Sequence, residues 1–150
     1  MHALRNIHAA LAPDGILVDT QPVSARSPVA SEGSELGTLD MHDWLDTIHA
    51  VDERFAETIA AGLYELEQES WFVVTDTYEN GPECLETVSG WRGTRVPSGV
   101  AQRLAATTSA VTVQQEVRLR LLRRAAQQRT LHSVSRHRSS LRRASSRAPP

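Results

Sequence analysis

Apolar and polar positions divide the chain into segments of different period. From Met1 to Ala12, Leu4, Ile7, His8 and Leu11 recur at helical spacing and predict a helix. Pro13-Asp14-Gly15 turns the chain. Ile16-Leu17-Val18 is then a continuous apolar run ending at Asp19, the pattern of a strand buried on both faces. Gln21–Gly33 contains Pro22, Pro28 and Gly33 without periodicity and is expected to be a loop. Leu36–Leu39 has the makings of a very short strand.

The strongest signal follows. Met41, Trp44, Leu45, Ile48, Val51, Phe55 and Ile59 recur every three or four residues and form one stripe of a long helix. Asp40 is placed to cap its start, and Gly62 to end it in the left-handed conformation. Tyr64–Thr77 predicts a strand, clearest at Trp71-Phe72-Val73-Val74-Thr75. Asn80-Gly81-Pro82 stops it and opens a helix whose apolar face is Leu85, Val88 and Trp91. Pro97 opens another helix to about Ala106. Val111–Leu122 has period two, with Val111, Val113, Gln115, Val117, Leu119 and Leu121 on one face and a mostly polar set, including Arg118 and Arg120, on the other.

Past Arg124 the periodicity ends. Residues 125–150 are rich in Ser and Arg, with only Leu131, Val134 and Leu141 as sizeable apolar side chains, and too little surface to bury for an ordered fold. The expected organisation is a folded unit over 1–124 and a disordered basic tail over 125–150.

Charge sharpens this division. Residues 1–117 hold all 18 acids and six arginines, a balance of −12, while residues 118–150 hold ten arginines and no acid, a balance of +10. An acidic body and a basic tail attract each other as well as outside partners. The chain has no lysine and one cysteine, Cys84, which excludes an intrachain disulfide and fits a reducing compartment. No apolar run is long enough for a membrane span, and His2, Arg5, Asn6 and His8 interrupt any secretory core. The expected location is cytoplasmic.

Four segments carry a family resemblance. They are "ALRNIHAALAPDGILVDTQP", "AGLYELEQESWFVVTDTYENGPECLETVSGW", "TRVPSGVAQRL" and "VTVQQEVRLRLLRR". In this order they resemble the C-terminal half of a class I S-adenosylmethionine-dependent methyltransferase, covering about residues 3–124. The resemblance makes Ile16–Asp19 the fifth strand, Tyr64–Thr77 the sixth and Val111–Leu122 the seventh. It implies an α/β fold, a small mixed sheet of about three strands with flanking helices, as a truncated Rossmann-like half-domain. The cofactor half of such enzymes, with its Gly-rich turn and ribose-binding acid, finds no counterpart in these residues. The expected protein therefore binds no S-adenosylmethionine alone and is non-catalytic alone. It acts by association, as a homodimer or with an upstream-encoded partner, through the Ile16–Asp19 strand edge. Two alternatives stand beside this: a methyltransferase completed in trans, and a binding module whose tail contacts nucleic acid.

Candidate chemistry is sparse. Asp19, Thr20 and Gln21 follow the apolar run, where open α/β sheets bind ligands, and form a candidate substrate-side pocket. His42, Asp46 and His49, with Glu53, share a helix face and read as a solvated stripe; no metal site is expected. Gly33 and Gly37 form a G-x-x-x-G that reads as a flexible connector. Cys84 is expected to be semi-buried and inert, and Trp44, Trp71 and Trp91 to be core anchors. Arg136, Arg138, Arg142, Arg143 and Arg147 are candidate anion contacts, and Arg142-Arg143-Ala144-Ser145 resembles a basophilic kinase site. The tail has no aromatic residue for stacking on bases.

Overall fold

A computed structural model describes residues 2–126. The element order is α1 (His2–Ala10), β1 (Ile16–Pro22), β2 (Arg26–Ser31), β3 (Ser34–Asp40), α2 (His42–Ala60), β4 (Tyr64–Tyr78), α3 (Gly81–Ser89), α4 (Ser98–Ala106) and β5 (Val111–Arg124). Each helix and strand expected from periodicity is present. Gly62 has φ 68° just past α2, as its placement required. Asp40 ends β3 rather than capping α2 directly, yet its Oδ1 still accepts a 3.1 Å hydrogen bond from the His42 amide. Among the described residues no helix is long and apolar enough to cross a membrane.

β5 organises the sheet. One edge takes β4 along its whole length, from Tyr64↔Arg124 to Tyr78↔Val111, with a register shift between Leu66 and Gln68. The other edge is shared. β1 pairs with Val117–Arg123, β2 pairs with Val111–Val113, and β3 lies outside β2. The sheet is thus five-stranded, open and antiparallel, which corrects the expectation of about three strands in a mixed sheet.

The extra strands come from the segment read as a loop. In β2, Ser27, Val29 and Ser31 are buried and alternate with exposed Arg26 and Pro28. This is a period-two pattern written mostly in small side chains, so hydrophobicity does not reveal it. Glu32 and Gly33 have φ of 49° and 77°, the paired positive values of a two-residue hairpin turn. Pro28 sits where β2 has β3 beside it but not β5. Gly33 and Gly37 therefore belong to a hairpin, not to a flexible connector. A Cβ on Gly37 would lie 2.7 Å from Val100 Cγ2, so this glycine lets α4 press onto β3.

Helices cover the sheet from both sides. Val111 and Val113 pack with Val29, Leu39, Cys84, Val88, Val100 and Leu104, beneath α3 and α4. Leu122 packs with Phe55 and Tyr64, joined by Leu4, Leu17 and Val51, beneath α1 and α2. Odd and even residues of a strand face opposite ways, so the two helical pairs cover opposite faces at opposite ends of β5. The even-numbered face read as polar is covered toward its Leu122 end, where Arg120 is only 7% exposed, while Gln114 and Glu116 are exposed nearer its start. The arrangement leaves the odd face bare near β1. Ile16, Val18 and Phe72 are 41%, 56% and 43% exposed there. Trp71, expected in the core, is on the surface of β4.

Candidate functional site

β1 forms one lateral end of the sheet. Its inner edge is bonded to β5 from Ile16↔Arg123 to Pro22↔Val117. Among the described residues no strand pairs with its outer edge. β4 ends the sheet on the other side, but that edge is guarded. Glu65, Glu67 and Glu69 line its first half, and the register shift between Leu66 and Gln68 interrupts it there. Charges and bulges on an edge oppose pairing with another chain. Ile16-Leu17-Val18 carries neither.

An ion-pair network fixes β1 from behind. Asp19 is buried in mid-strand on the face that meets α2. Its Oδ2 accepts hydrogen bonds from Arg120 Nε at 2.9 Å and Nη2 at 2.6 Å, and its Oδ1 accepts one from Gln21 Nε2 at 3.0 Å. Arg120 Nη1 also lies 2.9 Å from Asp52 Oδ1 on α2, and its guanidinium sits 4.5 Å from the Phe55 ring centre. Arg118 Nη1 donates to Asp52 Oδ2 at 3.0 Å. Burial opposes the ionised form of Asp52, but the hydrogen bond from Arg118 and the charge of Arg120 outweigh it and hold the carboxyl below its usual range.

The three candidate pocket residues thus do different things. Asp19 is committed to Arg120, Gln21 supports Asp19, and Thr20 is exposed on the other face. A cavity of about 530 Å³ does adjoin Asp19, between α1 and α2, with Leu4, Leu17, Val51 and Phe55 in its wall. It is apolar, since the Asp19 carboxylate is already satisfied. The residues that sequence reasoning missed are Arg118, Arg120 and Asp52. A signal existed, because Arg alternating with Leu inside a strand demands carboxylates from whatever covers that face.

The remaining candidates disperse. His42 Nδ1 lies 2.6 Å from Asp40 Oδ1, and the hydrogen bonds from His42 hold the Asp40 carboxyl low. Asp46, His49 and Glu53 are exposed. Among the described residues no three metal-ligating side chains gather. Cys84 is fully buried, and burial with the nearby Glu83 charge pushes its thiol up to about 11. Arg136, Arg138, Arg142, Arg143, Arg147 and the Arg142–Ser145 pattern lie outside the described residues, as does nearly all of the expected tail. No family model, curated protein or solved structure matches the chain, so its functional reading rests on its own geometry.

Proposed function

We propose that this chain is a class I methyltransferase-like half-domain, Rossmann-like in lineage, that binds no cofactor by itself and acts by protein association through β1. The supporting observation is the order β1–β5–β4 with the outer edge of β1 unpaired. In the resembled family the fifth strand lies between the seventh strand and a fourth. On this reading β5 corresponds to the seventh strand, and among the described residues no strand takes the position of the fourth. The occupant we favour is a second copy of β1, paired about a two-fold axis. That arrangement satisfies both edges at once and closes the assembly. It also flanks Ile16 and Val18, which are exposed on a strand whose Leu17 packs against the core.

Light scattering of the full chain over a concentration series tests this, with amide exchange read at Ile16–Asp19. The expected result is a reversible dimer in which those amides slow as dimer forms. A monomer at every concentration overturns the association. Calorimetric titration with S-adenosylmethionine tests the lineage separately, and saturable micromolar binding by the chain alone overturns the half-domain reading.

A further inference from the structure

A second cavity, of about 420 Å³, lies at the carboxyl end of β1. That is within the usual size range of small-molecule sites. Trp44 from α2 and Trp91 from the turn after α3 both line it, with Met41, Gln115 and Asp76. Local backbone geometry brings the 90–94 turn and the start of α2 to the same cavity. Trp44 Nε1 donates to the Pro22 carbonyl at 3.0 Å, which fixes its ring. The Trp44 amide donates to Gly93 O at 3.2 Å. Gly93 has φ 71°, and a Cβ there would lie 2.7 Å from Trp44 N, so only glycine lets the 90–94 turn approach α2 this closely.

The polar lining is unspent. Among the described residues, the Asp76 carboxylate has neither an ion-pair nor a hydrogen-bond partner, and Gln115 makes no side-chain hydrogen bond. Both are partly buried. With no ion-pair partner among the described residues, this half-buried carboxylate contrasts with Asp19 and Asp52, which are thoroughly paired. The local field has the same sign. Tyr78, on the same strand, has its phenol pushed up to about 12 by burial, with Asp76, Cys84 and Glu83 adding to it. Arg92 also lines the cavity, but it is exposed and open to solvent screening, and it has no ion-pair partner among the described residues. Indole faces attract cations and do not attract anions.

We propose that this cavity binds a small organic ammonium ion, its charge on Asp76 and its apolar body against Trp44 and Trp91. The inference does not depend on the methyltransferase reading. The test is a titration of the ¹⁵N-labelled full chain with phenethylammonium, with 2-phenylethanol and phenylpropionate as neutral and anionic counterparts. The three indole N–H signals are the readout. Trp44 and Trp91 should shift saturably with phenethylammonium, while Trp71 stays still, because it lies five residues back along β4, about 17 Å from Asp76. The alcohol and the acid should bind at least about tenfold more weakly, the loss expected for one charge-assisted contact. Asp76→Asn should remove that preference and leave the alcohol unchanged. Equal binding of alcohol and amine, equal shifts at Trp71, or no saturable shift at millimolar amine each overturn the proposal. The comparison of ligands on the unaltered chain stands even where Asp76→Asn misfolds.

Discussion

Replacing Arg120 with Met should be among the most damaging single changes to this fold. The guanidinium is 7% exposed and makes two hydrogen bonds to Asp19, which is itself 8% exposed. Met keeps most of the volume and removes the charge. Asp52 would keep Arg118, but Asp19 would keep only Gln21. Breaking a buried pair from one side costs about 3–5 kcal/mol, mostly as the penalty on the stranded partner. The lost contact with Phe55 adds on the order of 1 kcal/mol. Against a total stability of about 5–15 kcal/mol, Arg120→Met should lose about 5 kcal/mol. The companion is Asp19→Leu with Arg120→Met, which removes both charges and sets a leucine against the apolar cavity beside Leu17 and Val51. Replacing a whole buried pair with apolar residues is often neutral, so the double variant should recover to within about 1 kcal/mol of the parent. Urea unfolding followed by circular dichroism, with matching m-values, measures both. A loss below about 1 kcal/mol for the single variant refutes the reasoning, as does a double variant less stable than the single one.

Other expectations follow from single contacts. Gly81→Ala should cost about 3 kcal/mol by the same assay, because its Cβ would collide with the backbone carbonyl of Leu104 where α3 approaches α4. Cys84 should resist a thiol reagent at pH 8 in the native protein and react at once in urea, since its thiol is pushed up to about 11 and the side chain is fully buried. The Asp52 carboxyl is lowered in the fold, so its contribution is complete above the ordinary carboxylate value of about 3.9 and is lost as pH falls through the lower folded value. Asp52→Asn should therefore flatten the acid limb of a stability–pH curve, and an unchanged slope would contradict the network. Deleting residues 127–150 should leave the melting temperature unchanged, and a fall of several degrees would show that the tail packs on the acidic body.

Legibility in the sequence followed the size of the side chains. α2 is readable because seven large apolar residues repeat at its period, β4 because Trp71-Phe72-Val73-Val74 is a continuous β-prone run, and β5 because Val and Leu alternate along it. The family resemblance also sets Ile16–Asp19 beside Val111–Leu122, and β1 does pair with β5. The β2–β3 hairpin is hidden because the buried face of β2 is Ser27, Val29 and Ser31, and serine carries no hydropathy signal. Trp71 misled for the opposite reason. A large apolar residue on a strand suggests burial, but which helix covers which half of which face is set by tertiary packing. The Asp19 candidate failed similarly. A carboxylate at the end of an apolar run looks free for ligand until the arginine 101 residues later is placed against it.

The position of β5 at the end of the described fold bears on how the chain assembles during synthesis. β1 and β4 pair only with β5, and β2 gains its second neighbour only from β5, which emerges after them. Before that, the single ladder able to close is the local hairpin of β2 and β3. The nascent chain must therefore carry Ile16-Leu17-Val18 and Trp71-Phe72-Val73-Val74 as unpaired strand segments through most of its translation. Such segments attract chaperones and other nascent chains alike. Folding should begin in earnest only when Val111–Arg124 has cleared the ribosome. A stalled chain ending before Val111 should remain protease-sensitive throughout β1 and β4, and one extended beyond Arg124 should acquire protection in both strands together.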